Sequence, residues 1–258
     1  MSKFSSISEL IESLIKEYSC NRNFYFRGMK NSQWQLENSF YRFANDKANK
    51  VTLDHRHSHA KRLLENFRAN LYSQNFISHD TISSMKDEEL WQYGQHYGLP
   101  TLLLDWTSSP FLALFFALNE AQSFQDNKKF VGAIWVLNEL VLSIKNQSVK
   151  PSQRLEIVTP IVGINQRIIR QKGIFTYSKT CWVHDNWLSK MVGNEIIEPS
   201  LYKKLEFEYN EEDRQRALIL LDEMNINYAT VYPDIEGCAM GAKQELINLL
   251  NADAYKEV

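Results

Sequence analysis

Four segments of the 258-residue chain combine residue types that can do chemistry. Phe24-Tyr25-Phe26-Arg27-Gly28 sets an arginine directly after three aromatics. A guanidinium at a strand end can hold a phosphate or ribose, and the following glycine lets the backbone approach a ligand closely. A structural salt bridge is the competing use of Arg27. Gln95-His96-Tyr97-Gly98-Leu99-Pro100 leads into Leu103-Leu104-Asp105-Trp106-Thr107-Ser108-Ser109-Pro110. A buried strand that ends in these hydroxyls and opens onto a helix N-terminus can accept an anion or a ligand amide. Asp105 and Ser109 could equally serve only to cap that helix. Asn165-Gln166-Arg167-Ile168 with Gln171-Lys172-Gly173-Ile174-Phe175 reads as a polar turn feeding a strand. Tyr232-Pro233-Asp234-Ile235-Glu236-Gly237 reads as a strand-to-helix junction with two acids. These either complement the helix macrodipole or supply an active-site carboxylate.

Other clusters carry less. His55 and His59 share a face if their segment is helical, with His57 between them, but no third ligand is suggested and the Glu of a zinc-protease helix is missing. A solvated helix start explains them, and no metal is expected. Neither a GxGxxG, a P-loop nor a GxSxG elbow occurs. Cys181 has His184 nearby, yet a nucleophile's base normally comes from elsewhere in a fold, so the pair reads as structural.

The elements that must hold these segments follow from spacing. Ile7, Leu10, Ile11, Leu14, Ile15 and Tyr18 recur at helical intervals, and Ser6 with Glu9 fits a capping box. Helices are predicted over Asp54 to Phe76, Glu88 to Tyr97, residues 110–122, Glu211 to Met224 and Ala239 to Asn251. The helix from Pro110 is apolar almost all round and should be central. Strands are predicted at Phe24 to Phe26, Leu102 to Trp106, Phe130 to Leu137, Leu155 to Ile161, Gly173 to Tyr177, Lys204 to Tyr209 and Ile226 to Tyr232. Without regular βαβ alternation the fold class is α+β, a single domain over 1–258 with a mixed or antiparallel sheet core flanked by helices.

Composition bounds the rest. Apolar residues at 44% and charged residues at 23% are ordinary globular usage, which argues against disorder. A net charge of −2 provides no global basic field, so a nucleic-acid partner would need a local patch. Glu9, Glu12, Lys16 and Glu17 interrupt any signal-peptide core, and Pro110 to Leu118 is too short to span a bilayer. Cys20, Cys181 and Cys238 are few, odd in number and far apart, so no disulfide framework is expected. A cytoplasmic protein without a membrane partner is the expectation.

Taken together, the segments resemble the FRG domain family. The resemblance rests on Phe26-Arg27-Gly28, His96-Tyr97-Gly98-Leu99-Pro100-Thr101 and Leu103-Leu104-Asp105-Trp106-Thr107 followed by Pro110. It continues through Arg167-Ile168, Gln171, Gly173 and Phe175 to Tyr232-Pro233-Asp234-Ile235-Glu236-Gly237, covering about residues 20–245 after a short N-terminal helix. Leu102 departs from the pattern, since the family usually has a basic residue there. A weaker resemblance is to ADP-ribosyltransferases of the arginine–serine–glutamate type, through Tyr25-Phe26-Arg27-Gly28, Thr107-Ser108-Ser109 and Glu236 in that order.

That second resemblance implies an ADP-ribosyltransferase-like sheet and NAD as substrate. Catalytic roles fall on Arg27, Glu236 and His96. Phe26, Gly28, Tyr97, Asp105, Thr107, Ser108, Ser109 and Gln171 would bind NAD. Arg27 would grip the ribose-phosphate, Gly28 would read the nicotinamide amide, and Phe26 or Tyr97 would stack on its ring. Hydroxyls at 107–109 would brace the carboxylate or ribose, and His96 would take the acceptor's proton. Asp234, Glu206 and Glu208 are rival acids. The implied protein is a bacterial toxin or phage-defence effector acting on a protein or an RNA or DNA acceptor, with an antitoxin as a further partner. The alternative is a non-catalytic FRG module that binds a nucleotide or a protein.

Overall fold

The protein is described by a computed structural model over residues 2–18, 21–47, 53–119, 129–161, 166–179 and 200–254. Its strands are β1 (Ser2–Phe4), β2 (Phe24–Met29), β3 (Leu103–Thr107), β4 (Phe130–Asn138), β5 (Leu155–Val158), β6 (Gly173–Ser178) and β7 (Tyr202–Tyr209). They form one sheet in the order β1-β7-β4-β2-β3-β6-β5. Among the described residues only β1 and β7 run parallel, so the sheet is mixed, as the irregular alternation of elements predicts. β2 pairs with β4 along its whole length but with β3 only at Phe26 opposite Thr107. The sheet therefore begins to split between β2 and β3.

The helices are α1 (Ile7–Tyr18), α2 (Ser39–Lys47), α3 (Leu53–Gln74), α4 (His79–Ser84), α5 (Asp87–His96), α6 (Pro110–Leu118), α7 (Glu139–Gln147), α8 (Gln166–Arg170), α9 (Glu211–Glu223), α10 (Tyr228–Val231) and α11 (Ile235–Ala254). Residues opposite one another across a strand pair share a sheet face, and successive residues alternate faces. Phe26, Ile134, Val136, Leu205 and Phe207 lie on one face and pack with Leu10 and Leu14 of α1, Phe115 of α6 and Leu218 and Leu221 of α9. Farther along that face, Leu103, Phe175 and Tyr177 pack with Phe40, Leu64, Ile82 and Trp91 of α2 to α5. The opposite face carries Leu104, Trp106, Trp135, Leu137 and Tyr202, closed by Leu36 and by Leu142 of α7. Two helical layers thus meet on the first face above the β2–β3 split.

The central helix forms as its sequence dictates. Ser109 caps α6 by accepting from the Leu112 amide, Pro110 sits in the first turn, and Leu112 to Phe115, Ala117 and Leu118 are buried. Buried Arg214 of α9 donates to the Leu118 carbonyl, satisfying one of the orphan acceptors at the α6 C-terminus. In α1 the buried Ile7, Leu10, Leu14 and Tyr18 keep the predicted spacing. The Glu9 amide donates to Ser6 Oγ, but the Glu9 carboxylate accepts from Ser5 rather than from Ser6.

Residues 226–232 are not the expected strand. Asn227 caps α10, accepting from the Thr230 amide at 2.9 Å while Thr230 Oγ1 accepts from the Asn227 amide at 3.1 Å. These local bonds favour a turn of helix, and Tyr228 packs edge-on against Phe115. Residues 232–237 consequently join two helices, not a strand to a helix. The expected polar turn before β6 holds the short helix α8, followed by Lys172 at φ +46°. Four elements had no clear signal: β1, α2, α4 and α7. Among the described residues, no helix is long and apolar enough to cross a membrane.

Candidate functional site

A cleft of about 800 Å³ opens where the two helical layers meet over the split sheet. Its lining comes from Phe26 to Gly28 of β2, Asp105 to Thr107 of β3, Gly173 to Phe175 of β6, Gln92, Gln95 and His96 of α5, and Phe116 of α6. Arg167, Ile168 and Gln171 around α8, with Tyr232 and Asp234 to Glu236, complete it. The volume falls within the roughly 300–1,000 Å³ of small-molecule sites.

Arg27 lies one residue beyond the single β2–β3 pair, at the start of the split. Its Nη1 donates to the Asp105 carbonyl at 2.7 Å and lies 3.6 Å from the Asp105 carboxylate. The Arg27 side chain is only 20% exposed, and its buried Nε has no hydrogen-bond partner. Burial depresses the Arg27 pKa, Asp105 opposes that shift, and the charge of Arg42 adds to it. Arginine stays protonated through such shifts. The cleft therefore holds a partly desolvated cation with a donor to spare, the state an anionic ligand relieves.

Asp105 is held in turn. Gln95 Nε2 donates to its carboxylate at 2.6 Å, and Gln95 Oε1 accepts from the buried Thr101 hydroxyl at 2.5 Å. This chain depends on how α5 ends. Gly98 has φ +84°, its amide bonds to the Gln95 carbonyl, and the Leu99 amide bonds to the Gly94 carbonyl. That is the paired C-terminal bonding of a Schellman motif, which needs a residue tolerant of the left-handed region at Gly98. The His96 to Thr101 segment thus turns the chain so that Gln95 meets both Thr101 and Asp105.

The opposite wall is a second arginine cluster. Arg167 Nε donates to Asp234, Arg167 Nη2 donates to Glu236 at 2.8 Å, and the guanidinium lies 5.4 Å from the centre of the Tyr232 ring. The Arg167 hydrogen bond holds the Asp234 carboxyl below the usual carboxylate range, helped by the Gly237 amide. Asp234 also caps α11 through that amide, at 3.0 Å. Glu236 accepts at one oxygen from Arg167 and is 68% exposed, so it is the better placed of the two to meet a ligand.

The structure brings Arg27, Phe26, Gly28, His96, Asp105, Thr107, Gln171 and Glu236 to one cleft. Several are already engaged there. The Thr107 hydroxyl donates to the Gln171 carbonyl at 2.7 Å and accepts from the Ser109 amide. Gln171 Nε2 donates to the Val231 carbonyl. These bonds tie the β3–α6 junction, the α8–β6 turn and α10 together. Ser108 and Ser109 lie outside the lining, the latter as the cap of α6. Tyr97 also lies outside it, exposed and packed on His96 and Tyr93, and Phe26 is buried in the core, so neither expected ring offers a free face for stacking. Gly28 has a packing role: a Cβ there would lie 1.8 Å from the Ala113 carbonyl oxygen of α6.

Glu206 and Glu208 sit on β7 away from the cleft, with Glu206 paired to Lys204 at 3.0 Å and Glu208 to Lys129 at 3.4 Å. Leu102 is buried with Phe40 and Trp91. The His55 and His59 rings pack 6.4 Å apart, and no group of metal-ligating side chains occurs among the described residues. Cys20, Cys181, His184 and Asn165 lie outside those residues. Sequence reasoning missed Gln92 and Phe116 as cleft residues, and it placed Gln95, Arg167 and Tyr232 within candidate segments without giving them a role in the site. The placement of Gln95 one turn before Gly98 was the available signal.

A family model for the FRG domain matches residues 22–126 of the chain. The match includes Arg27, Gln95, His96 and Asp105, whereas the wall of Arg167, Asp234 and Glu236 lies beyond it. No curated protein and no solved structure matched the chain.

Proposed function

We propose that the cleft binds NAD and transfers its ADP-ribose to a macromolecular acceptor. The observation that carries this reading is the closure of the Arg27–Asp105 floor against Glu236, from opposite ends of the chain, over one cavity. Arg27 offers a buried, unpartnered Nε to a phosphate or ribose oxygen. Glu236, hydrogen-bonded to Arg167, offsets positive charge that develops at the ribose carbon as the bond to nicotinamide breaks. The nicotinamide departs with the bonding electron pair. His96 at the α5 end accepts the proton released when the acceptor's oxygen or nitrogen bonds to that carbon. A toxin or phage-defence role in the cytoplasm, neutralised by an antitoxin, accords with such an activity.

Incubation of the protein with NAD, read as nicotinamide release and label transfer, tests this. Glu236→Gln and Arg27→Ala are each expected to lower the rate about 10²- to 10³-fold, the usual cost of removing a group that stabilises transition-state charge. Undiminished release by Glu236→Gln would remove that residue from the chemistry.

One observation favours a second reading, a non-catalytic nucleotide-binding module: each acid near the floor already has an arginine or amide partner. Under that reading Arg27→Ala abolishes NAD binding, while Glu236→Gln leaves it intact and wild-type protein releases no nicotinamide.

A further inference from the structure

Charge is unevenly placed along the chain. Residues 22–76 contain ten Lys and Arg against four Asp and Glu, an excess of +6 in a chain whose net charge is −2. Within that stretch, aromatic rings lie open to solvent: Trp34 is 48% and Phe43 53% exposed. Cations accompany the rings. Lys30 Nζ is 5.4 Å from the centre of Trp34, and the Arg56 guanidinium is 4.3 Å from the centre of Tyr41. Arg56 Nη2 donates to Asn45 at 2.7 Å, whereas its buried Nε has no partner. Arg42 of α2 is exposed and donates to the Glu37 carbonyl, while Ser39 at the start of α2 accepts from the Thr101 amide at 2.8 Å, and Thr101 in turn bonds Gln95 of the cleft wall. The start of α2 is thereby tied to Asp105 on the cleft floor, which Gln95 also bonds.

We propose that the loop before α2, α2 itself and the start of α3 dock single-stranded nucleic acid and lead it to the Arg27 end of the cleft. Trp34 and Phe43 offer faces on which unstacked bases can lie, and Lys30, Arg42 and Arg56, the last stacked on Tyr41, offer charge to the backbone. That combination accepts a single strand of any sequence, because every base has a π-face, while a duplex keeps its bases stacked inside. The docking rests on this surface alone. The role of the docked strand as ADP-ribose acceptor rests on the function proposed above.

Fluorescence anisotropy of the full chain with labelled single-stranded RNA, single-stranded DNA and a matched duplex tests the docking. Single strands are expected to bind more tightly than the duplex, and the RNA and DNA arms show which is preferred. With three phosphate contacts, affinity should fall roughly twentyfold between about 50 and 200 mM salt. Trp34→Ala and Arg56→Ala should each weaken binding about tenfold and leave nicotinamide release unchanged. Should Arg56→Ala fail to fold, Trp34→Ala, which removes a half-exposed side chain, decides alone. Absence of single-strand binding at low salt, or wild-type affinity in Trp34→Ala, overturns the proposal. So does label transfer to protein without any strand binding. If strands bind through these residues and no nicotinamide is released, the docking stands and the transferase reading falls.

Discussion

Asp234 shows how one residue can serve the fold and the cleft at once. It caps α11 through the Gly237 amide and pairs with Arg167, and the second contact chiefly lowers its pKa. A carboxylate whose pKa is depressed on folding contributes stability above its unfolded value, near about 3.9, and loses it as pH falls through the folded value. Wild-type stability to urea should therefore drop as pH falls below about 4. Asp234→Asn keeps a competent cap but forfeits the charge pairing, so it should be less stable at pH 7 and show a shallower acid-dependent loss. Parallel pH profiles for the two proteins would mean that the Arg167 contact contributes nothing to folding. At the floor, the orphaned Nε of Arg27 marks the opposite case, a group left incomplete by the fold.

At the scale of elements, α6 and β2 fix the cleft's geometry by direct backbone contact. Any side chain at Gly28 would collide with the Ala113 carbonyl and approach the Ala117 amide at 2.8 Å, so the helix would have to move off the sheet. Gly28→Ala should cost about 3 kcal/mol or more, as severe overpacking does. Gly98→Ala meets no atom within 4 Å and suffers only from its positive φ, at about 1–2 kcal/mol. Urea midpoints with unchanged m-values check this order. If Gly98→Ala proves the costlier, packing of α6 on β2 is not what requires Gly28.

At the scale of the whole molecule, the cleft joins walls more than 200 residues apart in sequence, from Arg27 to Glu236. A ligand that bridges them stabilises both helical layers together. NAD at 100 times its dissociation constant should add about 2.7 kcal/mol. For a chain of this size that is roughly 5–10 °C in Tm. A thermal shift that persists in Arg27→Ala would show that NAD, if bound, is bound elsewhere.

Periodicity and caps determined much of this protein by themselves. The buried face of α1, the Ser109-Pro110 start of α6 and the alternation of β7 are local properties, written in residues a few positions apart. Residue types within short segments marked Arg27, Asp105 and Glu236 as candidates, and the resemblance to ADP-ribosyltransferases added His96. Local spacing misread residues 226–232, where apolar residues suit a strand but Asn227 and Thr230 close a turn of helix. Only the tertiary structure decided which polar groups remain available to a ligand. Thr107 and Gln171 are consumed by bonds between separate segments, and Glu206 is carried to another strand position by the register of β7 on β4. The reason is physical: a side chain's burial depends on its neighbours in sequence, but its hydrogen-bond partner depends on which distant backbone the fold brings beside it.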